Sequence, residues 1–110
     1  MESKYCSFSK NQISQTKEYI RKSIFFLLLY VDPKTKDNYK DVNVDTAFLN
    51  LLYKLGGLNS LLLEPPELVI VMSLIECAWK EYNSVNFDFG VYRKLILDAG
   101  AEVMRIKEGD

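Results

Sequence analysis

Histidine is absent from the 110 residues of this chain. Its absence excludes Ser-His-Asp and Cys-His nucleophilic catalysis, acid-base catalysis by imidazole, and every zinc site with a histidine ligand. Cysteine is scarce as well, since only Cys6 and Cys77 occur, which is too few for a disulfide scaffold or a four-thiolate zinc site within one chain. We predict Cys77, which falls in an apolar segment, to be a small buried side chain.

Long apolar runs are also missing, because the longest is the eight residues from Ile24 to Val31 in "SIFFLLLYV". As a helix that run rises only ~12 Å, whereas a bilayer core is ~30 Å thick. The opening "MESKYC" lacks the basic start and apolar stretch of a secretory signal. We therefore expect a cytoplasmic protein whose apolar run lies in a core or an interface.

No stretch alternates apolar and polar residues for long enough to predict a strand, apart from the β-branched "LVIVM", where a buried strand is the alternative to a helix. The composition, 48% hydrophobic and 26% charged, is that of a globular protein. The sequence therefore predicts one all-α domain over residues 1–110, a compact bundle of four to five helices, with residues 1–8 flexible.

The first two helices have recognisable ends. Ser9 is the predicted N-cap of the first, and Asp32-Pro33 ends it, because a residue before proline avoids helical angles. The second is predicted from about Asp45 to Leu55, with Asn43 or Asp45 as its cap and Gly56-Gly57 as its stop, followed by a short separate turn in "LNSLLL". One face of the first helix carries apolar residues at helical spacing: Ile13, Ile20, Ile24, Leu27 and Val31.

The third and fourth helices are predicted from similar signals. Pro65-Pro66 opens the third, and Asn86 or Asp88 caps the fourth, which we expect to continue through Gly100. The second half of the first helix and the first turns of the third are apolar nearly all round. Such helices need cover on several sides, from their own domain or from another chain.

Charge is unevenly distributed along the chain, although the net charge is only −1. Up to Lys40 there are eight Lys or Arg and four acids, and from Asp41 onward there are six and eleven. The two halves are therefore of opposite sign, and they can attract each other within the fold or between copies.

Aromatic residues are abundant, with seven Tyr, six Phe and one Trp. Tyrosine and tryptophan favour interfaces because an apolar ring carries a polar tip. We therefore predict a non-enzymatic protein-protein interaction module, acting as a homodimer or as a small subunit, adaptor or inhibitor in a larger assembly. The candidate protein-binding residues are Phe25, Tyr30, Tyr53, Trp79 and Tyr82.

Two alternative functions remain open from the sequence. One is a subunit of a nucleoprotein complex, and the other is a histidine-free carboxylate enzyme using Glu76, whose pKa would be raised if it were buried. We expect no catalytic residue, no cofactor and no metal. The loop acids Asp32, Asp37 and Asp41 lack the EF-hand order, and "LGGLN" is not a phosphate-binding motif. The candidate nucleic-acid contacts are Lys10, Lys17, Arg21, Lys34, Lys36 and Lys40.

Overall fold

The structure is a computed structural model that describes the backbone of residues 10–61 and 65–106 and the side chains of residues 12–60 and 65–106. These residues form four α-helices and no strand, which confirms the all-α prediction with four helices rather than five. The predicted cap at Ser9 and the predicted flexibility of residues 1–8 lie outside the described residues. The helices are α1 (Lys10–Leu29), α2 (Val44–Leu61), α3 (Pro66–Tyr82) and α4 (Phe89–Met104), and a short 3-10 helix, Lys36–Tyr39, lies between α1 and α2.

The four helices form an up-and-down bundle measuring 43 × 23 × 21 Å. The main packing contacts join each helix to the next along the chain, and α4 packs back against α1. As a result α1 and α3 occupy diagonally opposite corners of the bundle, with the core between the four helices. Apolar side chains at helical spacing on each inward face form that core.

The core confirms most of the predicted inward face of α1, although its fifth residue, Val31, lies beyond the end of the helix and is half-buried. On α1, Ile13, Ile20, Ile24 and Leu27 are all buried. The largest side chains that are wholly or almost wholly buried on the other helices are Phe48, Leu55, Leu68, Val71, Ile75, Tyr92, Ile96 and Val103. Burying each large apolar side chain contributes roughly 1.5–3 kcal/mol, so these faces hold the bundle together.

The predicted stop at Gly56-Gly57 is wrong, because α2 continues through both glycines to Leu61. The residues predicted as a separate turn, as far as Leu61, belong to the same helix. Leu55 is buried and Leu58 packs against the core on either side of the glycines. Their burial outweighs the ~1 kcal/mol that each glycine costs a helix relative to alanine.

Three of the predicted helix starts are confirmed, two of them by side-chain capping contacts and one by the position of a proline. The Asn43 side-chain oxygen accepts from the backbone N–H of Thr46 at 3.0 Å, at the start of α2. Pro66 occupies the first turn of α3. The Asp88 carboxylate accepts from the N–H groups of Gly90 and Val91, at 2.8 and 3.2 Å, at the start of α4. These contacts satisfy donors that have no partner within the helix.

Helices α1 and α4 also cap each other's C-terminal ends. The Lys17 ammonium donates to the carbonyls of Met104 and Ile106, at 3.2 and 2.8 Å, at the end of α4. In return the Tyr92 hydroxyl donates to the Leu27 carbonyl at 2.6 Å, in the last turn of α1. These two contacts show that α1 and α4 run antiparallel. Each supplies a donor for helix-end carbonyls that lack an intrahelical partner.

Candidate protein-binding site

Helices α1 and α3 are the two that the sequence predicts to be apolar nearly all round. The bundle covers most of their apolar side chains, but not all of them. On α1 the side chains of Phe25 and Phe26 are 50% and 41% exposed. On α3 Val69 and Ile70 are each 46% exposed. Two separate apolar areas, one on α1 and one on α3, therefore face outward.

The area on α1 borders a groove between α1 and α4, which we call the α1–α4 groove. Its volume is about 340 Å³. The buried side chains of Ile24 and Ile96 line its floor, where the core reaches the surface. The residues that line it are Arg21, Ile24, Phe25, Ile96, Leu97, Gly100, Ala101 and Met104.

Small residues of α4 leave the groove open. Gly100 has no side chain, and a Cβ placed on it would have no neighbour within 4 Å. Ala101 follows it on the same side of α4. Leu97 and Met104 rise on either side of this pair and are both exposed, seven residues apart on one stripe of the helix. The groove is therefore a concave apolar strip with flexible side chains at its rim.

Phe25 stands between this groove and a second one on the other side of α1. The second groove, about 330 Å³, is lined by Glu18, Arg21, Lys22 and the two phenylalanines. Phe25 thus forms a ridge with a shallow depression on each side. A half-exposed aromatic ring flanked by depressions suits the interdigitated packing of an interface core.

The charged residues beside Phe25 are basic on balance. A hydrogen bond of 3.0 Å joins the Arg21 guanidinium to the Glu18 carboxylate, and it lowers the pKa of Glu18. Lys22 is exposed next to this pair. Both side chains of the pair are about half exposed, and such surface pairs contribute little stability. Arg21 is therefore available to exchange Glu18 for a carboxylate on a partner.

The other candidate binding residues lie elsewhere on the bundle. Tyr53 is 85% exposed on the outward side of α2. Tyr30 is half-buried at the end of α1, with its ring centroid 5.9 Å from that of Phe26 and 5.1 Å from that of Tyr39. Neither residue lines the α1–α4 groove.

Trp79 and Tyr82 are half-buried and hold α3 against α2. The Trp79 ring stacks on Phe48 with centroids 5.8 Å apart, and its indole N–H donates to the Asp45 carboxylate at 2.7 Å. Tyr82 lies 6.5 Å from the same phenylalanine. The five candidate residues therefore do not form one surface, and only Phe25 belongs to the groove.

The six candidate nucleic-acid contacts are also dispersed. Lys17 is only 6% exposed and its ammonium is engaged by backbone carbonyls. Arg21 is exposed on α1, while Lys34, Lys36 and Lys40 are exposed in the connection that follows the end of α1. Lys10 begins α1, and its side chain lies outside the described residues.

Glu76 and Cys77 are both exposed on α3. The prediction that Cys77 is buried is therefore wrong. The inward face of α3 consists of Leu68, Val71, Ile75 and Ala78, and position 77 points away from it although its sequence neighbours are apolar. Among the residues that the structure describes, no group of three Asp, Glu or Cys side chains is placed to hold a metal ion.

Sequence reasoning missed the α4 side of the groove and the buried lysine. Leu97 and Met104 were not among the predicted binding residues, although their seven-residue spacing was a signal for an apolar stripe on α4. The small residues around Gly100 were a signal for a concave surface. Lys17 lies on the apolar face of α1 between Ile13 and Ile20, and that position was the signal for its burial.

The chain matches no protein-family model, no curated protein and no solved structure. Within the described parts of the chain, none of the helices is long and apolar enough to cross a membrane.

Proposed function

We propose that this chain is a non-enzymatic protein-interaction module that buries the α1–α4 groove against another protein surface, as an oligomer or as a small subunit, adaptor or inhibitor in a larger assembly. The observation that carries the proposal is the half-exposed ring of Phe25 beside a groove that opens onto the core. A cytoplasmic location belongs to the same proposal.

The groove has the composition of an interface centre. Its floor is aliphatic, its ridge is aromatic and its one charged lining residue is Arg21. Aromatic residues and arginine are the residue types that most often dominate binding energy at interfaces. Met104 at the rim is flexible and polarisable, so it adapts to the shape of a partner.

The alternative functions have less support from the geometry. A nucleic-acid contact through the N-terminal basic residues loses Lys17, which is buried and engaged by carbonyls. A carboxylate enzyme would need acids held together in a cavity, whereas Glu76 is exposed on α3 and does not line the grooves beside Phe25. Both alternatives remain weaker proposals than the interaction module.

The test compares Phe25→Glu with Leu49→Glu, a matched control on the outward face of α2 where leucine is exposed to a similar degree. We expect the unchanged chain and the control to associate, either with themselves in sedimentation equilibrium or with a partner in affinity capture. Phe25→Glu should weaken that association about 30-fold, the effect of losing an interface hot spot of ~2 kcal/mol. Thermal unfolding checks that both variants are folded. A chain that is monomeric and captures no partner would contradict the proposal, as would equal association of the two variants.

A further inference from the structure

We infer that the space between α1 and α2, which we call the α1–α2 cleft, binds a small carboxylic acid. The apolar body of this ligand enters a cavity of the cleft, and Lys54 and Tyr19 hold its carboxylate. The larger cavity of the cleft shares no lining residue with the α1–α4 groove, so the inference is independent of the proposed function.

The cleft exists because α1 and α2 pack least closely among the four neighbouring helix pairs. They are joined by the long connection of residues 30–43, whereas residues 83–88 suffice to join α3 to α4. Two cavities of about 200 and 160 Å³ lie in the cleft, and Leu51 and Lys54 line both. The cleft therefore has room for a ligand without displacement of a helix.

The larger cavity is apolar and small. Ile20, Leu51 and Leu55 are buried where they line it, and Leu58 packs against the core beside them. An aliphatic cavity of ~150 Å³ is large enough to hold benzene, whereas sites for drug-sized ligands measure ~300–1,000 Å³. A volume of about 200 Å³ therefore indicates a ligand whose apolar body is the size of a single ring.

Two hydrogen-bonding side chains meet at the mouth of this cavity from opposite walls. The Lys54 ammonium of α2 donates to the Tyr19 hydroxyl of α1 at 3.0 Å, and it lies 5.6 Å from the centroid of the same ring. Among the residues that the structure describes, Tyr19 is the one polar partner of Lys54. An ammonium has three N–H donors, and a phenol hydroxyl that accepts a hydrogen bond still has its own proton to donate. The pair therefore offers further donors to the two oxygens of a carboxylate.

The charge at the cleft favours an acid as the ligand. Within the described part of the chain, Lys54 is the one charged residue that lines either cavity. Helix α2 contains no acid after Asp45. On α1 the acid next to Tyr19 in sequence is Glu18, which pairs with Arg21 beside the second groove. A ligand carboxylate would supply the opposite charge that Lys54 lacks, and charge-assisted hydrogen bonds are stronger than neutral ones.

Phenylacetate, which has one ring and one carboxylate, is the probe for this site. We expect its addition to the ¹⁵N-labelled chain to shift amide resonances centred on residues 16–23 and 51–58. The expected dissociation constant is roughly 0.1–1 mM, the weak binding of a ligand of about ten non-hydrogen atoms. Phenylacetamide has the same shape without the charge, and it should bind about tenfold more weakly because its hydrogen bonds are not charge-assisted.

Variants separate the two parts of the site. Lys54→Met should weaken phenylacetate binding about tenfold and Tyr19→Phe about threefold, because each removes donors to the carboxylate. Lys80→Met and Tyr53→Phe, at exposed positions that do not line the cleft, are the matched controls and should bind as the unchanged chain does. Leu58→Phe fills the cavity and leaves the charge, so it should remove binding of both the acid and the amide. The amide spectra show whether each variant is folded.

Three results would overturn the inference. The first is the absence of shifts up to about 10 mM phenylacetate, where even very weak binding is visible. The second is a set of shifts centred on another part of the bundle, such as the α1–α4 groove. The third is equal binding of acid and amide, or binding that Lys54→Met leaves unchanged, since either would show that the carboxylate is not recognised. Phe25→Glu should bind phenylacetate normally, which keeps this test separate from the test of the proposed function.

Discussion

The two ends of the bundle are built in opposite ways. At the end where α1 and α3 finish, large rings pack together, with the Phe48, Trp79, Tyr82 and Tyr92 centroids 5.8–6.5 Å apart in four pairs. We call this the aromatic end. Large rigid rings fill the space between helices, and Trp79 adds a hydrogen bond from α3 to α2. This end presents a filled core.

The opposite end of the bundle has small residues and a lysine where the aromatic end has large rings. Gly56 and Gly57 lie within α2 and Gly100 lies within α4, while Lys17 caps the end of α4. We call this the glycine end. The side-chain oxygen of Asn59 is buried there without a hydrogen-bond partner among the described residues. Small side chains leave concave surface, which explains why the α1–α4 groove extends towards this end.

The largest expected effect on stability comes from removing a buried ring at the aromatic end. Phe48 is fully buried between Trp79 and Tyr92, so Phe48→Ala should lower the free energy of unfolding by ~3–5 kcal/mol through lost burial and a new cavity. Urea denaturation measures the change. Val85→Ala, at a fully exposed position, is the control and should change stability by less than about 0.5 kcal/mol. A similar small loss for both variants would mean that the rings do not form the core.

At the glycine end, Lys17→Met should lower the free energy of unfolding by ~2 kcal/mol, because it keeps the apolar stem but removes charged donors from the carbonyls of Met104 and Ile106. Hydrogen exchange should accelerate in the last turn of α4 more than elsewhere. Lys22→Met, at an exposed position of the same helix, is the control. Equal exchange in the two variants would contradict a capping role for Lys17.

The aromatic end should also make stability depend on alkaline pH. Burial, together with the nearby Tyr82, raises the pKa of Tyr92 well above its usual value. Above pH ~10 the folded chain then keeps the Tyr92 proton, whereas the unfolded chain loses it. The contribution of Tyr92 to the free energy of unfolding is therefore complete below that pH and falls by up to ~1.4 kcal/mol per pH unit above it.

Tyr92→Phe should make the free energy of unfolding depend less on alkaline pH. It should also lower that free energy by ~1 kcal/mol near neutral pH, because it removes the hydroxyl that donates to the Leu27 carbonyl. Tyr53→Phe, at an exposed site, should do neither. Urea denaturation across neutral to alkaline pH provides the measurement. An unchanged pH profile in Tyr92→Phe would show that another group causes the loss.

The smallest effect should be a gain in stability at the glycine end. A Cβ at Gly57 would meet nothing within 4 Å, so Gly57→Ala should raise the free energy of unfolding by ~1 kcal/mol through better helix propensity. Gly90→Ala is the contrasting variant, because its Cβ would lie 3.1 Å from the Asp88 carboxylate and disturb the cap of α4. Thermal unfolding distinguishes them. Destabilisation by Gly57→Ala would show that this position needs a glycine.

The two ends also differ in how far the sequence predicted them. Caps such as Asn43 and Asp88 act within three residues, so their residue types sufficed to place them. The stop at Gly56-Gly57 was wrong because burial of Leu55 and Leu58 by other helices outweighed a local preference. Cys77 was placed wrongly because apolar neighbours in sequence do not reveal which way a side chain points.

For the candidate site, sequence reasoning grouped Phe25 with a set of aromatic residues that the fold separates. Trp79 and Tyr82 pack against Phe48, and Tyr53 faces outward on a different helix. An excess of aromatic residues predicts that some are exposed without indicating which ones. Their exposure depends on which neighbouring helix covers each ring.

The sequence by itself determined the helices, their inward faces and most of their starts, because helix periodicity and capping operate over a few residues. Only the tertiary structure decided which surplus apolar side chains stay exposed, that α2 continues through two glycines, and that Lys17 and Tyr92 close the ends of each other's helices. Those outcomes depend on residues as far apart as Lys17 and Ile106, which meet only when α4 packs back against α1.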